Sequence, residues 1–178
     1  MVLSDQSQNP LLGKWETQHE IAPFNVIYDE HFQPALEIAC SEALLEVEEI
    51  IKNRNEPTFD NTIEALLSTG QLLDRIVSTF YTIAGAHTNK KRDELLLIFS
   101  SKLSDHNTNI YSNTELFDRI DRVAETKHSS GLDPEQERVL KLIHRNFVRS
   151  GAALKGKNKT RFQDISKQLA VIGTKFSQ

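Results

Sequence analysis

A chain of 178 residues, with 38% apolar and 26% charged side chains, has the composition of an ordinary globular protein and enough length to bury a core. Its net charge of −4 excludes a general attraction to phosphate backbones or anionic membranes, so neither nucleic acid nor a membrane is an expected partner. The single cysteine, Cys40, excludes an internal disulfide and, among apolar helical positions, reads as a buried structural thiol. The first residues hold no basic-then-apolar leader, and no apolar run nears the ~20 residues that cross a bilayer, so the expected location is the cytoplasm.

Residues 1–29 contain Pro10, Gly13 and Pro23 and keep no period, which predicts an extended N-terminal arm with Leu11, Leu12, Trp15, Phe24 and Ile27 as apolar anchors. Residues 30–178 read as one helical region. From about His31 to Arg54 a first long helix is predicted, with Phe32, Leu36, Ala39, Ala43, Leu44, Val47, Ile50 and Ile51 as its buried stripe and Pro34 in the opening turn. Glu42, Glu46, Glu48 and Glu49 read as its solvated face. Pro57 to Asn89 is the central segment, one long amphipathic helix or two stacked end to end. Phe59, Ile63, Leu66, Leu67, Leu73, Ile76, Val77, Phe80 and Ala84 recur along it at helical steps. Thr58 or Asp60 can cap its start, and Gly70 marks a bend or close contact inside it.

A third helix runs from Lys90 to about Ser112, with Leu95, Ile98, Phe99, Leu103 and Ile110 on one face. A shorter fourth follows a cap at Asn113 or Thr114 and carries Leu116, Ile120 and Val123. Asp133, Pro134, Glu135 and Glu137 open a fifth that carries Val139, Leu140, Ile143 and Phe147 and ends near Gly151. The basic run Lys155, Lys157, Lys159 and Arg161 lacks the aromatics of a nucleic-acid surface and precedes a last helix with Phe162, Ile165, Leu169, Ile172 and Phe176 in step. No period-two run or hairpin signal appears, so the expected fold is all-α, a bundle of about six helices. The last stripe is still running at Phe176, with no glycine, basic turn or proline behind it, which leads us to expect a fragment of a longer chain.

The chemistry search is short. Of the histidines His19, His31, His87, His106, His128 and His144, no two stand three or four residues apart, so no helix pairs two imidazole ligands. His19-Glu20 opens like a zinc-binding His-Glu-x-x-His helix, but Pro23 takes the second histidine position. His87 and His144 are candidates for a role, with a structural histidine as the alternative for each. No phosphate loop, serine elbow or Cys/His cluster is present. The residues themselves therefore nominate no catalytic, cofactor-binding or metal-binding side chain.

The wording of several blocks carries a resemblance. Asn9-Pro10-Leu11-Leu12, the stretch Phe24 to Leu36 and the segment PTFDNTIEALLSTGQLLDR from Pro57 resemble the opening region of the thimet-oligopeptidase-type (M3) zinc metallopeptidases. Ala84 to Asn89, Phe147 to Ala152 and Gly173 to Gln178 look like the bacterial peptidyl-dipeptidase branch of that family rather than its oligopeptidase A branch. The blocks run in order from Asn9 to Gln178.

The resemblance implies a zinc-dependent peptidase several times longer, which removes dipeptides from the C-terminus of short peptides. In that family a His-Glu-x-x-His helix and a later glutamate hold the zinc. None of those ligands falls here, so no catalytic residue is carried onto this sequence. The expectation is a helical channel-wall region, inactive alone, whose partners are oligopeptide substrates and the missing catalytic region. Self-association of the fragment through its last helix is a further expectation. The alternatives are the corresponding region of an oligopeptidase A-like endopeptidase, or a free-standing helical interaction module.

Overall fold

The computed structural model describes residues 9–176; in the last helix the side chains at 163, 166, 167, 170, 171 and 173–176 are left undescribed. Among these residues the chain is helical with no β-strand: α1 (Asp29–Lys52), a short α2 (Ala65–Leu67) entered through a π-helical turn (Phe59–Glu64), α3 (Gln71–Ala86), α4 (Lys90–Tyr111), α5 (Thr114–Thr126), α6 (Pro134–Arg149) and α7 (Gly156–Phe176). No described helix is long and apolar enough to cross a membrane. The all-α expectation holds, and the central segment is indeed two helices.

Contacts divide the chain into two compact units. The first joins the chain up to Arg54 with Glu64–Thr108; the second joins Asn55–Ile63 with everything from Asn109. In the first unit α1 packs along α3. Phe32, Phe80 and Phe99 meet at its centre, with ring centroids 3.9 Å apart for the stacked pair Phe80–Phe99 and 5.1 Å apart for the edge-on pair Phe32–Phe80. All three are almost fully buried, and each contributes roughly 1.5–3 kcal/mol by removal from water.

The arm lies on this core. Leu11, Trp15 and Ile27 are buried, and the Arg75 guanidinium stacks over Trp15 at 4.6 Å while donating to the carbonyls of Leu11 (2.9 Å) and Gly13 (3.1 Å). Phe24 is an anchor only on paper. It sits in the turn closed by Val26 N–H on Pro23 O and remains 47% exposed.

Several local expectations are revised. Helix α1 starts at Asp29, so Pro34 falls in its second turn rather than the first, on the exposed side. Ala35 joins the buried stripe, whereas Leu44 and Ile51 are only partly buried. Cys40 is half-buried at the edge of the core, where burial pushes its thiol pKa up. Glu46 does more than face solvent: its carboxylate accepts from Gly70 N–H at 2.7 Å. Gly70 is the left-handed residue (φ 75°) that separates α2 from α3, so Glu46 holds the break between them. The π turn explains a second miss. Its wider winding inserts about one extra residue into the helical phase, and Leu67, expected inside, is 61% exposed.

In the second unit α5 and α6 pack through Leu116, Phe117, Ile120, Val123, Leu140 and Phe147. Asn113 Oδ1 caps α5 by accepting from Leu116 N–H (2.9 Å), and Asp133 with Gln136 forms a reciprocal capping box ahead of Pro134. The turn after α6 is made by Gly151 (φ 81°), whose missing side chain leaves room for the Phe162 ring at the start of α7; an added Cβ would lie 2.7 Å from that ring. Beyond Phe162 the α7 stripe is open, with Ile165, Leu169 and Ile172 exposed by 45, 62 and 61%. The Phe176 side chain lies outside the described ones.

Candidate functional site

The second unit carries the polar side chains best placed to bind or react. An open cleft of about 590 Å³ runs between α5, α6 and the turn into α7. Phe117, Val148 and Ala152 belong to its apolar lining, and Asp118, Asp121, His144, Lys155 and Lys159 to its polar lining. His144 Nε2 lies 2.8 Å from Asp121 Oδ1, and its ring leans on Phe117 with centroids 5.5 Å apart. This places one of the two candidate histidines. Its ring nitrogen is engaged by a carboxylate 23 residues upstream, and Thr114, the hydroxyl lining the cleft, makes no hydrogen bond to it. Among the described residues no nucleophile is hydrogen-bonded to the imidazole, and the pair ties α5 to α6. Side-chain exposures of 30 and 48% limit such a pair to at most about 1 kcal/mol.

The P-T-F-D-N block turns out to be a polar junction. Thr58 Oγ1 accepts from Asn61 N–H (3.2 Å) while Asn61 Oδ1 accepts from Thr58 N–H (2.9 Å), so Thr58 is the cap and Asp60 is not. Asn61 Nδ2 donates to Glu56 O at 2.9 Å. Arg119 of α5 completes the junction by donating to Asn61 Oδ1 (3.1 Å), Thr62 Oγ1 (3.3 Å) and Asn55 O (3.5 Å). Thr62 is fully buried there, and burial lowers the pKa of Arg119. The Thr58-x-x-Asn61 spacing was a readable signal for the cap, whereas nothing local pointed to Arg119.

His87 belongs to a clasp in the first unit. Arg92 reaches His87 through both its Nδ1 (3.2 Å) and its backbone carbonyl, and donates from Nε to Asp29 Oδ1 at 2.7 Å. Asn89 caps α4 by accepting from Arg92 N–H (2.9 Å) and donates to Asp29 Oδ2 at 3.1 Å. Burial pushes the Asp29 carboxyl up, but hydrogen bonds from Arg92 and Asn89 and the charges of Arg92 and Lys91 outweigh it and hold the pKa below the usual value. The Ala84–Asn89 block is thus the α3–α4 corner and its fastening to α1.

The remaining histidines are dispersed. His19 and Glu20 have left-handed backbone in a short turn, His31 Nδ1 accepts from Tyr28 N–H (3.1 Å) at the start of α1, and His128 is in an exposed loop. His106 is buried on α4 with Nδ1 unpartnered, and burial pushes its pKa down. Among the described residues no group of three or more His, Cys, Asp or Glu side chains is placed to hold a metal ion.

The ordered blocks of this all-helical body serve as caps, corners and helix stops. No family model matches the chain. Curated proteins do, along almost its full length: the chain is similar to dipeptidyl carboxypeptidases and, more distantly, to oligopeptidase A. It is 36% identical over 172 residues to dipeptidyl carboxypeptidase of Salmonella typhimurium, covering 97% of the chain and 25% of the relative. The same enzyme of Escherichia coli is 34% identical with the same coverage. Oligopeptidase A of Escherichia coli is 25% identical over 95% of the chain and 24% of the relative. The chain spans about a quarter of the length of the curated relatives it matches.

Proposed function

We propose that this chain is the N-terminal helical wall of a zinc metallopeptidase that releases dipeptides from the C-terminus of short peptides, and that it is inactive alone. The observation that carries the reading is the 36% identity to dipeptidyl carboxypeptidase across 97% of the chain, against 25% for oligopeptidase A. Zinc is implied by the family, but the donors described here do not assemble a site for it. No reaction step is therefore placed on these residues, and the metal belongs with the three quarters of the relatives' length outside the match. A cytoplasmic setting is part of the reading and is supported by the unpaired thiol of Cys40.

The experiment compares this chain with the uninterrupted polypeptide of its gene, both supplied with zinc, on a peptide with a free C-terminus and on its C-terminal amide. Release of a C-terminal dipeptide from the first substrate only, and only by the longer polypeptide, supports the reading. Internal cleavage of both peptides would move it to the oligopeptidase A side. Turnover by the 178-residue chain alone would overturn it.

A further inference from the structure

We propose that the open stripe of α7 docks into an apolar groove rimmed by carboxylates, supplied by the part of the peptidase polypeptide that this chain does not span. The inference rests on the family reading above and adds a surface and its chemistry to it.

Phe162 is seated over Gly151, and Ile165, Leu169 and Ile172 follow at steps of three, four and three, which places all four on one helical face. The first is half-buried and the next three are exposed by about half or more. A helix that faced only water would gain nothing from this pattern, because its amphipathic stripe exists to be covered.

Charge selects among the possible covers. Within α7 stand Lys157, Lys159, Arg161, Lys167 and Lys175 against the single Asp164, a net +4, which leaves −8 on the rest of a chain whose total is −4. Two copies joined α7 to α7 would bring +4 against +4 within a Debye length of about 8 Å. A membrane surface would attract α7 but repel the −8 carried by the rest of the chain. A groove with acidic rims satisfies both the stripe and the net positive charge of its helix. The curated relatives are about four times as long as the matched region, so the family polypeptide contains ample chain to provide it.

Hydrogen exchange decides. In the uninterrupted polypeptide, amides of residues 165–173 should exchange at least about tenfold more slowly than in the 178-residue chain. The pair Leu169→Glu and Ile172→Glu should abolish that difference, while leaving the melting temperature of the 178-residue chain unchanged because both side chains are exposed there. Equal exchange in the two proteins overturns the proposal. So does protection that appears in the short chain and rises with its own concentration, which would assign the face to a second copy. Binding of the short chain to phosphatidylglycerol vesicles, lost in the Glu pair, would overturn it in favour of a lipid surface. Peptidase activity without protection defeats the docking alone, whereas protection in a longer polypeptide that hydrolyses no peptide upholds the docking and defeats the family reading.

Discussion

Gly151→Ala tests the claim that a missing side chain seats α7. The methyl group would lie 2.7 Å from Cδ1 and Cε1 of Phe162 and 3.3 Å from Cγ, against an ordinary carbon contact of about 3.5–4.0 Å, so the ring must move by most of an ångström. Displacing an aromatic ring from its seat costs about 1–3 kcal/mol. The left-handed backbone at φ 81° adds roughly 1–2 kcal/mol for a residue with a Cβ. The expected loss is about 2–5 kcal/mol, read by urea unfolding followed by circular dichroism, with Trp15 fluorescence reporting the first unit separately. Phe162→Ala is the control. It removes the obstacle, so the double variant should be less damaged than the two single losses summed, leaving mainly the backbone contribution. Wild-type stability for Gly151→Ala, or strict additivity in the double variant, would refute the packing argument.

Phe80→Ala opens the centre of the aromatic cluster and is expected to cost about 3–5 kcal/mol in the same assay. Arg119→Ala should cost about 1–3 kcal/mol and speed amide exchange specifically across residues 55–63, whose polar groups it satisfies. Asp29 has a depressed pKa, so its contribution is present above the unfolded carboxyl pKa of about 3.9 and is lost as pH falls through the lower folded value. Asp29→Asn should therefore be less stable at neutral pH and lack that acid limb in a stability–pH profile. His106 also has a depressed pKa, but as a base: below the unfolded value of about 6.5 the unfolded chain binds the proton more readily, so stability should fall with pH from there down to the folded value. In His106→Leu that segment of the profile should be flat.

The helices were readable because their signal is local. A stripe at three- and four-residue steps, a cap at Asn113 or Asp133 and a stop at Gly151 each lie within a few residues of what they govern. The errors arise where that locality breaks. Leu67 came out exposed because the π turn before it shifts the phase by which it was placed. Glu46 looked solvated because its partner, Gly70, is 24 residues away across a helix pair. The same limit applied to the polar sites. His144 and His87 could be singled out by residue type, but Asp121, Arg119 and the Arg92–Asp29 pair could not, since their partners lie 23 to 64 residues off and no periodicity links them. The family wording of the Pro57, Ala84 and Phe147 blocks was visible at once. What those residues do physically became clear only from the turns and junctions they build.

Arg75 sets a schedule for the newborn chain. The carbonyls it grips belong to Leu11 and Gly13, made 64 and 62 residues before it, and the indole it covers belongs to Trp15. At roughly 5–20 residues per second of synthesis, the leading segment spends about 3–12 s outside the ribosome with Leu11 and Trp15 uncovered before its anchor exists. A stretch translated well before its anchor is thus among the last of its unit to settle, and in that interval it is the natural target for chaperones and proteases.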